Sequence, residues 1–231
     1  MTAIAKNLKH VRDRITTACL SAHRSPQDVA LLAVSKTFGP EAVRAAHAAG
    51  QRAFGENYVQ EALAKIAVLA DLPGIEWHCI GPLQSNKTRP VAENFHWVHT
   101  IERLKIAERL SAQRPAGLPP LNVCIQVNVD GGANKAGVSV QEAAALARAV
   151  AALPRLRLRG LMSIPEPAPD FEAARAVHAR ARALFDQLNA DGLNLDTLSA
   201  GMSADLEAAI AAGSTLVRIG SAIFGARGAA P

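Results

Sequence analysis

The 231-residue chain has few aromatic residues, few cysteines and no long apolar segment. With only 6 Phe, 2 Trp and 1 Tyr, it lacks the stacking aromatics that single-strand nucleic-acid binders use. Its net charge of +5 comes from basic residues that are scattered along the sequence and form no basic cluster. We therefore expect no nucleic-acid partner, because charge alone describes solubility and non-specific attraction.

The three cysteines, Cys19, Cys79 and Cys124, are far apart and show no CxxC spacing. They predict neither a disulfide framework nor a zinc site, and they fit a reducing cytosol. Charged residues interrupt the apolar positions of residues 1–15, which argues against a signal peptide. No segment has the length of a membrane span, so we expect a cytoplasmic protein that binds no membrane.

Residues 1–22 are predicted to form one amphipathic helix, which ends before Pro26. Apolar residues recur there every three or four positions, at Ile4, Leu8, Val11, Ile15 and Ala18. The chain length falls within the range in which an α/β barrel forms one unit. We therefore expect a single domain over residues 1–231, with the barrel at 29–225.

From Val29 onward, short apolar runs alternate with helical patterns. The predicted strands lie at 29–35, 52–54, 76–80, 97–99, 122–129, 156–162, 197–199 and 216–219. The predicted helices lie at 40–49, 59–69, 84–93, 101–113, 139–153, 171–190 and 205–212. The helix at 139–153 has the spacing of a capping box, with Ser139 as the N-cap and Glu142 three residues later.

This alternation predicts an α/β fold in which parallel strands are joined by right-handed crossovers. Eight such strands can close into a single TIM-type (β/α)8 barrel, and an open doubly wound sheet is the alternative. Only nine residues follow Ala222, too few for another helix. The N-terminal helix is therefore predicted to complete the outer ring of helices.

Functional groups of such a barrel lie at the C-terminal ends of its strands. Lys36 directly follows the apolar run at 31–35, so its amine is predicted to enter the open end of the barrel beside apolar walls. An amine in such surroundings is held partly neutral, as the formation of a Schiff base requires.

Two loops that combine glycine with hydroxyl groups follow the last two predicted strands, at 199–203 and at Gly220 and Ser221. Glycine lets the backbone approach an anion closely, and a helix that begins at Ser203 adds the positive end of its dipole. Both loops are therefore candidates for a phosphate site. The alternative is that Ser203 is only an N-cap and Gly201 only a turn residue.

Three polar residues in or after the predicted strands are further candidates. Arg218 lies inside the last strand, where a permanent charge requires a partner: either a salt bridge at the barrel end, or a cofactor ring or phosphate. Asn57 and His78 also lie near strand ends, although each alone is more often a capping or core residue.

Several motifs, in order over nearly the whole chain, resemble those of the pyridoxal 5′-phosphate (PLP) homeostasis protein family, which has the barrel of the alanine racemases (fold type III). They are AVSKT at 33–37, FGENYVQE at 54–61, WHCIGPLQSNK at 77–87, GLM at 160–162, SAGMSADL at 199–206, RIG at 218–220 and FG at 224–225. Ordered matches of this length are highly specific.

The resemblance implies that Lys36 holds PLP, the one cofactor, as a Schiff base. The cofactor-binding residues that it implies are Lys36, Asn57, His78, Met162, Ser199, Met202, Ser203, Arg218, Gly220 and Ser221. Among them, the serines, Met202 and Gly220 surround the phosphate, Arg218 lies near the pyridine nitrogen, and Asn57 and His78 border the ring.

Two further positions bear on the same family. Lys135 matches another family lysine near the open end of the barrel, whereas Phe38 stands where many relatives carry a second lysine. If that lysine relays PLP in the relatives, the relay here differs or depends on Lys135.

The expected function is PLP binding without turnover, because an arginine beside the pyridine nitrogen makes the ring a poorer electron sink. The resemblance implies that the protein stores PLP or delivers it to apo-enzymes, and we expect it to be a monomer.

An amino-acid racemase is the alternative function, with Lys135, His78 or Tyr58 as the second proton-transfer group. Related racemases carry a second, β-rich domain, which we expect this chain, ending at Pro231, to lack. A lysine-dependent aldolase is a third class, but it needs no phosphate loops around a cofactor.

Overall fold

Eight parallel strands close a barrel in the computed structural model of the chain, which describes residues 2–131 and 136–225. Lys135 lies outside these residues. The barrel strands are β1 (Ala30–Val34), β2 (Ala53–Glu56), β3 (Glu76–Cys79), β4 (Trp97–Ile101), β5 (Leu121–Asn128), β7 (Leu156–Met162), β8 (Thr197–Ser199) and β9 (Leu216–Ile219). The two-residue strand β6 (Val138–Ser139) pairs with the end of β5 and lies outside this order. The barrel closes where β1 pairs with β9, so the predicted fold class is confirmed.

Helices surround this barrel. They are α1 (Ala3–Ser21), α2 (Pro40–Ala48), α3 (Val59–Val68), α4 (Thr88–Asn94), α5 (Leu104–Gln113), α6 (Val140–Ala151), α7 (Phe171–Ala190), α8 (Leu206–Ala211) and the single turn α9 (Ser221–Phe224). The amphipathic helix α1 contacts α2, α8 and α9, which is the place in the outer ring that the sequence predicts for it. No helix among the described residues is both long and apolar enough to cross a membrane.

The structure differs from the sequence prediction at several chain segments. The helix expected over 84–93 is a 3-10 turn at Ser85–Lys87 followed by α4, and β6 was not predicted. The helix expected from Ile101 begins at Leu104, because β4 continues to Ile101 and the Thr100 hydroxyl donates a hydrogen bond to the carbonyl oxygen of Gly81 at 2.7 Å. The expectation of no helix after the last strand is also wrong by one turn. Residues 221–224 form α9, whose backbone N–H groups at positions 223 and 224 donate to the oxygen of Gly220.

Side chains alternate between two apolar layers along each strand. The outer layer packs strands against helices and includes Phe54 and Trp77, whose ring centroids are 5.9 Å apart. The interior contains one cluster around Leu32, Val34, Ile80 and Leu216 and a second cluster formed by Trp97, Cys124 and Met162. Burial of each large side chain contributes about 1.5–3 kcal/mol, so both layers stabilise the frame that carries the strand ends.

Candidate functional site

A cavity of about 410 Å³ lies at the C-terminal ends of the barrel strands. Seven residues predicted from the sequence line it together: Lys36, Asn57, Met202, Ser203, Arg218, Gly220 and Ser221. Its other walls are mostly apolar and come from Val34, Phe38, Ile80, Ile164, Ala204 and Gly225. A cavity of this volume, with apolar walls and few polar groups, suits a small organic ligand.

The other three predicted residues, His78, Met162 and Ser199, do not line this cavity. All three are buried on strands in the barrel interior, with exposed fractions of 2% or less. Met162 packs against Trp97 and Cys124, whereas His78 and Ser199 belong to a hydrogen-bonded chain that ends at Arg218. Their direct contact with a ligand therefore stays a prediction.

Arg218 is the buried cation of the site, with 4% of its surface exposed. Its Nη1 donates to the Ser199 hydroxyl at 2.8 Å and its Nη2 to the backbone oxygen of Ser163 at 2.9 Å. Burial lowers its pKa to about 10, so the guanidinium is still charged at neutral pH. No ion-pair partner of Arg218 is found in residues 2–131 and 136–225, so the salt-bridge alternative has no support there.

A chain of buried polar side chains runs from Arg218 through the barrel interior. His99 Nδ1 lies 2.9 Å from the Ser199 hydroxyl, and His99 Nε2 lies 2.9 Å from His78 Nδ1. Beyond it, His78 Nε2 faces the Glu76 carboxylate at 3.6 Å. Because burial lowers the pKa of both histidines, each ring is neutral at neutral pH.

The direction of donation along this chain follows from its two ends, because Arg218 can only donate and the Glu76 carboxylate can only accept. His78 carries its proton on Nε2, which faces Glu76, so its Nδ1 accepts from His99 Nε2. His99 Nδ1 then accepts from the Ser199 hydroxyl, which in turn accepts from Arg218. The chain thus fixes Ser199 as an acceptor for Arg218 and holds the guanidinium in place at the cavity.

The two predicted anion loops converge on the cavity from β8 and β9. The hydroxyls of Ser203 and Ser221 lie 3.4 Å apart. Gly201 has a φ of +95°, and an added Cβ would lie 2.5 Å from the Cβ of Ala209, so glycine is required there by backbone conformation and packing. At Gly220 an added Cβ would lie 3.2 Å from a backbone oxygen of β1, so a side chain there would have little room.

The helix predicted to open at Ser203 instead begins at Leu206, so Ser203 is not its N-cap. The reason is Asp205, whose Oδ1 accepts the backbone N–H of Met202 at 2.7 Å and whose Oδ2 lies 2.8 Å from His178 Nε2. This contact holds residues 202–205 as a turn, which presents Ser203 to the cavity without the predicted helix dipole.

Several residues of the site are not among the cofactor-binding residues predicted from the sequence. His99 is the last residue of a predicted strand and His78 lies near the end of another, so the rule that selected His78 also applies to His99. Phe38 lines the cavity and packs against Phe224, with ring centroids 5.2 Å apart. Ser163 contributes only a backbone oxygen, which no residue pattern reveals.

Taken together, the described site is an amine, a buried guanidinium and two converging hydroxyls at the open end of a barrel. Such an arrangement can bind a small carbonyl compound that carries an anionic group.

Known proteins with the same architecture match the chain along its length. A model of the alanine racemase N-terminal domain family matches residues 1–228. The pyridoxal phosphate homeostasis protein of Pseudomonas aeruginosa is 63% identical over 227 residues, which cover 98% of this chain and 97% of that protein. The protein of the same name from Escherichia coli K12 is 56% identical over 229 residues, 98% of each chain.

A solved structure agrees with these matches. PipY of Synechococcus elongatus, with PLP bound, superposes with a TM-score of 0.83 at 37% identity and covers 96% of this chain and 100% of that chain. This chain therefore belongs to the alanine racemase N-terminal domain family and, within it, to the pyridoxal phosphate homeostasis proteins, as the motifs predict.

Proposed function

We propose that this chain binds PLP covalently at Lys36 and holds it without substrate turnover, as a protein of PLP (vitamin B6) homeostasis. The observation that carries the proposal is the single cavity that brings Lys36 together with Arg218 and the two hydroxyl-bearing loops. The names of the Pseudomonas and Escherichia relatives, and PLP in the PipY structure, support it.

The residues present fit the chemistry of PLP. When bound, PLP supplies an aldehyde carbon that a lysine amine can attack, with the release of one water molecule. Lys36 provides the amine, and the hydroxyls of Ser203 and Ser221, 3.4 Å apart, can both donate to one phosphate group. Gly220 lines the same cavity, and Asn57 adds a polar group to its wall.

The position of Arg218 favours storage over catalysis. A guanidinium only donates hydrogen bonds, so it pairs with a pyridine nitrogen that carries no proton. An unprotonated ring withdraws electrons weakly, and carbanion chemistry on a bound amino acid is then disfavoured.

The racemase alternative needs a second proton-transfer group beside Lys36. In the part of the chain that the structure describes, Lys36 and Arg218 are the titratable side chains that line the cavity. Tyr58 is 58% exposed at the start of α3 and does not line it, and His78 is buried in the barrel interior. These positions support binding without turnover.

The test is a reduction of the loaded protein. We expect borohydride, added after incubation with PLP, to leave one reduced adduct on the peptide that contains Lys36, and Lys36→Ala to lose both the adduct and the visible absorbance. An adduct that is absent from wild type, or unchanged in Lys36→Ala, contradicts the proposal. The alternative that the protein is a lysine-dependent aldolase predicts that the purified protein is colourless.

Turnover is tested separately. With D- or L-alanine in heavy water, the PLP-loaded protein is expected to exchange no α-proton beyond a PLP-only control. Exchange that is lost in Lys36→Ala supports the racemase instead.

The proposal extends to the setting of the protein: a cytoplasmic monomer that delivers PLP to apo-enzymes. The buried, unpaired thiols of Cys19, Cys79 and Cys124 fit a reducing compartment. Sedimentation measures the oligomeric state, and activation of an apo-enzyme by the loaded protein, in the presence of a scavenger of free PLP, measures delivery.

A further inference from the structure

A buried lysine on α3, Lys65, binds the backbone next to Lys36. Its Nζ donates to the carbonyl oxygen of Ser35 at 2.8 Å, to Glu56 Oε1 at 2.8 Å and to Glu61 Oε1 at 2.6 Å. An ammonium has three N–H groups, so these three acceptors use all of them. The side chain of Lys65 is 4% exposed and that of Glu56 is fully buried. We call Ser35, Thr37, Glu56, Glu61 and Lys65 the Lys65 cluster.

The Lys65 cluster holds the chain on both sides of Lys36. Before Lys36, the Ser35 hydroxyl donates to Glu56 Oε1 at 2.6 Å. After Lys36, the backbone N–H of Thr37 donates to Glu61 Oε1 at 2.7 Å. Thr37 has a φ of 67°, a left-handed conformation that is unfavourable for a β-branched residue and persists only where the surroundings impose it. Glu61 supplies a hydrogen bond that imposes it.

We propose that Lys65 is a positioning residue for Lys36: through Glu61 and Ser35 it fixes the backbone on both sides, and so the direction in which the Lys36 amine enters the cavity. Ser35 is bonded to Glu56 and to Lys65 of α3, whereas Lys36 lines the cavity. A rotation at either neighbour would displace the amine. The inference rests on the proposed role of Lys36.

Packing alone does not account for the Lys65 cluster. Helix α3 already buries Val59 and Ala62 against the core. Buried ion pairs are often no more stabilising than apolar side chains of the same volume. Glu56 Oε2 is also buried without a hydrogen-bond partner, and burial raises the pKa of that carboxyl group. The Lys65 cluster provides directed hydrogen bonds to the chain around Lys36, which apolar residues cannot provide.

The experiment compares two disruptive variants with two controls. Glu61→Ala removes the acceptor of the Thr37 N–H at a position that is 29% exposed, whereas Glu61→Gln keeps an oxygen there. Lys65→Met removes the ammonium and keeps the aliphatic stem. Val43→Ala truncates a buried side chain on α2 outside the cluster, and it controls for a loss of stability.

Two quantities are measured on the folded full-length protein. One is the rate at which PLP attaches to Lys36, by borohydride quenching and peptide mass spectrometry. The other is hydrogen exchange of the Thr37 amide without PLP. We expect Glu61→Ala and Lys65→Met to attach PLP about tenfold more slowly and to exchange this amide faster. Glu61→Gln should restore both values, and Val43→Ala should change neither.

Wild-type rates of attachment in folded Glu61→Ala and Lys65→Met overturn the inference, and so does an equal slowing in Val43→Ala, which would reflect stability alone. If wild type itself attaches no PLP, the proposed function fails. The exchange of the Thr37 amide still decides the positioning claim in that case, because it needs no cofactor: unchanged exchange in Glu61→Ala overturns it.

Discussion

Two arginines lie on strands near opposite ends of the barrel, and their partners differ. Near the N-terminal end, Arg159 Nε donates to both carboxylate oxygens of Asp196, at 2.8 and 3.0 Å, and its guanidinium lies 4.6 Å from the centre of a Trp97 ring. At the C-terminal end, Arg218 is bound by a hydroxyl and a backbone oxygen, with no carboxylate among the described residues.

The difference separates a structural arginine from one that is available to a ligand. Arg159 is paired and stacked, so its charge is satisfied within the protein. Arg218 is more deeply buried and forms no close ion pair among the described residues; the Asp205 carboxylate stabilises its charge only from a longer distance, which leaves the guanidinium available to a ligand. The comparison therefore predicts different roles for the same residue type at the two ends.

The largest expected effect comes from pH, which acts on the histidine chain behind Arg218. Burial lowers the pKa of His78 and His99, so the native state stays unprotonated where the unfolded chain, with histidine pKa values near 6.5, binds protons. Stability therefore falls as pH decreases below about 6.5, by up to about 1.4 kcal/mol per pH unit for each histidine. Urea unfolding between about pH 7.5 and 5 measures this slope.

The Arg159–Asp196 ion pair does not contribute over this pH range. Although burial acts in the opposite direction, hydrogen bonds from Arg159 and Thr197 hold the pKa of Asp196 below its ordinary value, so this pair loses its charge only in stronger acid. The variant His99→Phe removes one titrating histidine and should therefore reduce the dependence of the free energy of unfolding on pH. A slope that is identical in this variant would show that the acid sensitivity arises elsewhere.

The next effect is on ligand binding. Arg218→Met should weaken PLP binding by about 10- to 100-fold, the equivalent of one charged hydrogen bond, while the free energy of unfolding of the unloaded protein changes by about 1 kcal/mol or less. The small change in stability is expected because the variant removes a buried charge together with its hydrogen bonds. Absorbance titration with PLP measures the affinity, and urea unfolding measures the stability. If the variant binds PLP as tightly as wild type does, Arg218 has no role in ligand binding and does not differ from Arg159 in this respect.

The sequence predicts the barrel better than it predicts the site. The bounds of β7, β8, β9 and α7 agree with the structure because turn residues flank clear apolar runs. Ile101 was misassigned, since a β-branched residue between a strand and a helix fits either pattern until its tertiary contacts are known.

The site residues that were missed depend on contacts between distant parts of the chain. Lys65 lies on a helix whose pattern does not distinguish a buried lysine from an exposed one, and two of its three acceptors come from two different strand ends. Asp205 moves the start of α8 through a single hydrogen bond to Met202. Neither the burial of Lys65 nor the shifted start of α8 has a periodic signal in the sequence. Lys36, which follows an apolar run, and Arg218, which lies inside one, can be identified from the sequence.

The smallest expected effect is at the N-terminal end. Arg159→Met breaks the ion pair with Asp196 and removes the contact with Trp97, and the free energy of unfolding should fall by about 1–2 kcal/mol, a modest value because 22% of Arg159 and 48% of Asp196 remain exposed. PLP affinity should stay within about twofold of wild type, since the cavity lies at the other end of the barrel. Urea unfolding and absorbance titration, applied to this variant beside Arg218→Met, test whether stability and binding separate between the two arginines. If Arg159→Met weakens PLP binding as strongly as Arg218→Met does, the two ends are energetically coupled through the barrel interior and the division of roles is wrong.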